Sequence, residues 1–167
     1  MKIKKFAQKS KYIQFVIEQH VDQGEREIAE KCPEAPLASL TEAMEALKDF
    51  IGVTMGLPDK WLETVKVRGF SMSYTQAGTR SCSVEFTKTY PNVDKVEAMR
   101  TPLVQIDPPA EVETEKRGVA TEQAAQVCTA LAEVEKYIGG DRQQMRLDGV
   151  EVSTIDGDDD PLGLDAE

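Results

Sequence analysis

The stretch VKVRGFSMSYTQAGTRSCSVEFTKTY, residues 65–90, decides the fold. Val65 and Val67 share one parity, whereas Phe70, Met72 and Tyr74 share the other. Alternation with period two marks a strand with one buried face. The single phase slip falls at Gly69, and a slip of one residue at a glycine is what a β-bulge produces. Gln76-Ala77-Gly78-Thr79 supplies a turn. Cys82, Val84, Phe86 and Tyr90 then alternate on the return, opposite the polar set Ser81, Ser83, Glu85, Thr87 and Thr89. An antiparallel hairpin follows, with its aromatic residues on the core side. Its solvent face is predicted to carry Ser71, Ser73, Ser81, Ser83 and Thr87.

Toward the N-terminus, residues 12–21 repeat the period-two pattern, with Ile13, Phe15, Ile17 and Val21 on one side and Tyr12, Gln14, Glu18 and His20 on the other. Asp22-Gln23-Gly24 is a turn, and residues 25–32 are a third strand or a loop. With the lysine-rich start as a first strand, this part forms a meander. Ser39-Leu40-Thr41-Glu42 matches a capping box. Leu40, Met44, Leu47, Ile51 and Met55 follow at helical spacing, and Gly56-Leu57-Pro58 ends the helix. Asp59 to Thr64 adds one further turn.

Toward the C-terminus, Pro91-Asn92 breaks the hairpin and Thr101 to Ile106 is a short strand. Residues 107–118 have no periodicity and are predicted to be a linker. Thr121 is placed to cap a second helix with the stripe Ala124, Val127, Leu131, Val134 and Ile138, stopped by Gly139-Gly140. The predicted fold is α+β. A mainly antiparallel sheet of about four to five strands is covered on one face by helices at 40–55 and 121–138. Residues 1–147 make one domain, and 148–167 an acidic disordered tail.

The chain of 167 residues carries a net charge of -10, but unevenly. Residues 1–11 hold five lysines and no acid, +5; residues 65–90 hold Lys66, Arg68, Arg80 and Lys88 against Glu85, +3; residues 151–167 hold seven acids and no base, -7. An acidic molecule thus carries two basic segments. Three cysteines, Cys32, Cys82 and Cys128, form no Cys-x-x-Cys pair, which excludes a zinc ribbon and points to a reducing compartment. No window approaches the ~18 apolar residues of a membrane helix, and the lysine-rich start lacks an apolar signal core, so no membrane association is expected.

The helix Leu-x-x-Ala-Met-x-Ala-Leu at residues 40–47 is one element of a recurring pattern. The others are VKVRGFSMSY at 65–74, Thr101-Pro102 after the hairpin, and Tyr-Ile-Gly-Gly-Asp-Arg-Gln-Gln at 137–144. This order resembles a group of small, uncharacterised bacteriophage and prophage proteins containing VxVxGxSxSY, over roughly residues 1–147. The resemblance implies a phage origin, action in the host cytoplasm and no assigned activity or catalytic residue. The family pattern often ends in a Gln-x-x-Leu-Phe-like stretch, and Gln144-Met145-Arg146-Leu147-Asp148 lacks its aromatic.

Constellations for catalysis are missing. There is no phosphate-binding glycine loop and no G-x-S-x-G elbow, and the single histidine, His20, lies mid-strand on the predicted solvent side. The tail from Asp156 to Glu167 places acids at positions 1, 3, 5 and 12 of a calcium loop, but Pro161 occupies the sixth, which must turn sharply. Neither a metal nor a cofactor is expected. Gln144, Met145 and Leu147 resemble a clamp-binding peptide and are the candidate partner contacts. Lys2, Lys4, Lys5, Lys9, Lys11, Lys66 and Arg68, with Phe6 and Tyr12 beside the N-terminal lysines, are the candidate contacts to single-stranded DNA. Two function classes therefore stand: a non-enzymatic accessory protein that binds a host or phage protein, and a single-stranded DNA-binding accessory. A small-molecule sponge is a third, and self-association is open in each. The nucleic-acid class requires that strands 1–11 and 65–90 be neighbours.

Overall fold

The computed structural model of the protein describes residues 1–107 and 121–142. The predicted linker beyond Asp107, the residues Gln144, Met145 and Leu147, and the acidic tail lie outside the described residues. The chain is α+β. Seven strands form one sheet: β1 (Lys2–Gln8), β2 (Ile13–Val21), β3 (Gly24–Cys32), β4 (Val65–Tyr74), β5 (Arg80–Tyr90), β6 (Lys95–Arg100) and β7 (Val104–Gln105). Their order is β3-β2-β1-β4-β5-β6, with β7 also on β5, and every pairing is antiparallel. The helices are α1 (Ala38–Glu45), α2 (Leu47–Met55), α3 (Asp59–Leu62) and α4 (Thr121–Ile138).

The sheet is wider than the sequence pattern predicts. Residues 24–32 pair with β2 along their whole length, although only Ile28 and Cys32 in them escape full exposure. Edge strands can be this polar because ladder hydrogen bonds, not burial, hold them, and their charges discourage edge-to-edge aggregation. β6 was not predicted at all. Asp94, at a φ of 50°, closes the tight turn that returns the chain after Pro91-Asn92. β6 and β7 occupy the same edge of β5. Thr101 fills the interruption between them: its N–H donates to the Val84 carbonyl, and its hydroxyl accepts from the Val84 N–H at 2.9 Å. The Ser83 hydroxyl donates to the Thr101 carbonyl at 2.6 Å, so Ser83 is buried, not on the solvent face where parity alone puts it.

Asp107 also departs from expectation. It is an anchor, not the first residue of a linker. Its carboxylate accepts from the Arg80 backbone N–H at 2.7 Å and from the Arg80 guanidinium at 2.8–3.2 Å. That guanidinium holds the Asp107 carboxyl below the usual range.

All of α1, α2 and α4 lie against one face of the sheet. The single helix predicted over 40–55 breaks at Ala46, where the Asp49 N–H reaches back only three residues to the Ala46 carbonyl. The break lets Leu40, Ala43 and Met44 of α1 and Leu47, Phe50 and Ile51 of α2 all face the core. The capping box does not form. α1 begins earlier, with Leu37 at the cap, so Ser39 sits inside the first turn. From there its hydroxyl donates to Glu133 on α4 at 2.7 Å. Gly56, left-handed at a φ of 67°, ends α2 as expected.

α4 buries Val127, Leu131 and Val134 of its predicted stripe, and also Gln123 and Tyr137. Both Gln123 and Gln126 donate to one Asp49 oxygen, at 2.8 and 3.1 Å, tying α4 to α2. The Tyr137 ring stands edge-on to Phe6 and Phe15, and its hydroxyl donates to the Glu34 carbonyl. Phe6 stacks on Phe70 at 6.1 Å and is fully buried. Burying such a ring contributes about 1.5–3 kcal/mol, so Phe6 is a core residue and not a surface for stacked bases. The other sheet face carries no helix among the described residues. None of the described helices is long and apolar enough to cross a membrane.

Candidate functional site

The open face owes its main feature to the bulge in β4. Val67 pairs with Phe86 and Gly69 with Glu85, which leaves Arg68 as the extra residue. The slip predicted at Gly69 is therefore present. The neighbouring strand fixes the glycine there: a β carbon on Gly69 would lie 2.1 Å from the Phe6 carbonyl oxygen and 2.8 Å from the Ala7 Cα. Only glycine lets β1 approach there, at the pair Ala7↔Gly69. β1 and β4 are thus hydrogen-bonded neighbours, the juxtaposition that the sequence left open. Their pairing covers only Lys5–Ala7 against Gly69–Ser71. Below the bulge the two strands part.

A cleft of about 640 Å³ occupies this parting on the open face. Lys5 and Lys9 border it from β1 and the following turn, Arg68 from the bulge, and Glu85 and Arg100 from β5 and β6. Its charged lining sums to +3, four cations against one carboxylate. Arg100 pairs with Glu85 at 3.0 Å, and its side chain is 61% exposed. Lys5, Lys9 and Arg68 have no ion-pair partner among the described residues.

Not every predicted cation gathers here. Lys66 borders a second cleft of about 290 Å³, which shares Lys9 and Arg68 with the first. Lys11 is exposed in the turn after β1, outside both linings. Lys2 is committed elsewhere, 3.7 Å from Glu18 and 5.8 Å over the Tyr74 ring. Lys4 stands near the same carboxylate. A carboxyl–carboxylate hydrogen bond with Glu25, its proton on Glu25, lowers the Glu18 carboxyl most, and Lys4 and Lys2 lower it further. The other two hairpin cations are also engaged: Arg80 by Asp107, and Lys88 buried with its ammonium on the Thr64 hydroxyl at 2.6 Å and 4.3 Å over the Trp61 ring. Tyr12, half-buried, lies under the Lys31 ammonium at 5.1 Å.

Sequence reasoning missed Arg100 and Glu85 as site residues because β6 was not foreseen. The usable signal was the run Lys95-Val-Glu-Ala98, which alternates polar and apolar residues.

Chemically, the cleft offers several unneutralised N–H donors and one carboxylate already paired. Guanidinium and ammonium groups donate and never accept, so they suit phosphate or carboxylate oxygens. No reactive thiol borders it; burial pushes the Cys82 thiol up to about 12. Among the described residues no group of three or more His, Cys, Asp or Glu side chains is arranged to hold a metal ion. No protein family, curated protein or solved structure matches the chain.

Proposed function

We propose that this protein is a non-enzymatic bacteriophage accessory factor that binds single-stranded nucleic acid by its phosphate backbone, in the cleft on the open face of the sheet. The observation that carries this reading is the pairing of β1 with β4, which brings Lys5, Lys9 and Arg68 to one cleft with no ion-pair partner among the described residues. Backbone charge dominates such affinity and needs no base contact. With Phe6 in the core, stacking contributes little and the binding is indifferent to sequence.

Fluorescence anisotropy with a labelled oligothymidylate at low salt tests it. Binding is expected, with a slope of log K against log salt of about -2 to -3, as three to four phosphate contacts require. Lys5→Glu and Arg68→Glu each weaken it about tenfold. Absence of binding at low salt by a folded protein rejects the reading.

A different observation favours a second reading, a protein partner from host or phage. Val93, Val96 and Leu103 are exposed by 69, 61 and 57% in and around β6, whose outer edge has no strand beside it among the described residues. An exposed sheet edge with protruding apolar side chains suits an added strand. Substituting Val96→Lys should then remove partner capture while leaving oligothymidylate binding intact.

A further inference from the structure

Resting on the single-strand reading above, we infer that the bound strand does not stop at the open face. It turns around the end of the sheet, through the gap between β1 and β4, into the second cleft on the helix side. Gln8, Lys9, Ser10 and Arg68 border both clefts, so the two adjoin along these four residues. The second adds Lys66 and Thr41, with the Thr41 hydroxyl as a neutral donor. Its one acid, Glu45, is turned toward Lys48 at 3.3 Å. Lys66 has no ion-pair partner among the described residues.

The bulge explains why the track exists. By adding Arg68 to β4 it parts the strands just where β1 ends in its turn, and it leaves Arg68 at the junction of both clefts. Bulges re-aim side chains in this way beside functional sites. A path that bends sharply around a sheet end suits a flexible single strand. A duplex, with a persistence length of about 150 base pairs, cannot follow it.

Length dependence separates this track from the cleft alone. The unaltered protein and Lys66→Glu are titrated with oligothymidylates of about four and about twelve nucleotides, and with a twelve-pair duplex. The short oligomer fills the open-face cleft, and Lys66→Glu leaves its affinity within twofold. The long oligomer reaches Lys66, and the variant binds it about tenfold more weakly. Lys66→Gln, which disturbs the fold less, lowers the salt slope for the long oligomer by about 0.7, the share of one phosphate. Equal effects on both lengths, or none on either, overturn the track while leaving single-strand binding standing. Duplex binding as tight as that of the long oligomer also overturns it. Failure of the unaltered protein to bind any oligomer rejects the reading beneath it.

Discussion

At Gly69 a β carbon would stand 2.1 Å from a backbone oxygen of the neighbouring strand, and a backbone cannot swing aside as a side chain can. Gly69→Ala must therefore push β1 away from β4, breaking the three-residue pairing that also sets the cleft. Overpacking of this kind is expected to destabilise the protein by about 3 kcal/mol. Urea unfolding measures it as a lower midpoint at unchanged slope; an unchanged midpoint would show that β1 and β4 do not meet at this residue. The cations at the site follow a simpler rule. Those with an acid or a carbonyl in reach, such as Lys2, Arg80 and Lys88, serve the fold. Lys5, Lys9, Arg68 and Lys66 have no ion-pair partner among the described residues, and they are the ones the proposed function uses.

Among elements, β7 is only two residues long, and it is held by what flanks it. Thr101 fastens its approach to β5, and Asp107 fastens its exit to Arg80. The Asp107 carboxyl lies below its usual value of 3.8 in the folded protein because Arg80 donates to it. A depressed carboxyl contributes stability that is complete above the unfolded value and is lost as pH falls through the folded one. Asp107→Asn should cost about 1 kcal/mol at neutral pH, since the pair is partly exposed. Thermal unfolding of both proteins across pH should show that difference persisting to pH 5 and shrinking below 3.8; a constant difference would mean that the charge is not what matters. α1 and α2 show the same economy of local means: one break at Ala46 turns a single apolar stripe into two that both reach the core.

For the whole molecule, a net charge of -10 argues against affinity for a polyanion, but its distribution does not. Removing residues 151–167 takes away seven acids and no base, so the net charge rises to -3, from -10 + 7. The field of the whole chain then repels a nucleic acid less. Affinity for oligothymidylate is expected to rise about three- to tenfold at low salt, with the gain fading as salt screens it. Anisotropy on the truncated chain checks this, and an affinity unchanged at low salt would exclude any part for the acidic segment.

Period-two alternation in 12–21 and 65–90, the helical stripes at 40–55 and 121–138 and the slip at Gly69 follow from local rules. Burial of one face repeats every second residue in a strand and every three to four in a helix. The α+β class and most of its elements were legible for that reason. Elements held by partners instead of by their own pattern were not. The polar residues of β3 left it open between strand and loop, the short alternation of β6 was not picked out, Ser39 left its expected cap for Glu133, and Asp107 found Arg80 27 residues away in the chain. The candidate site belongs to this second kind. The sequence by itself determined which residues could carry positive charge and that a bulge would lie at Gly69. Only the tertiary structure decided that β1 lies beside β4, that Phe6 is in the core, and that Arg100 joins the cleft. Strand order is set by contacts between segments some sixty residues apart, such as Phe6 against Phe70, which no local periodicity records.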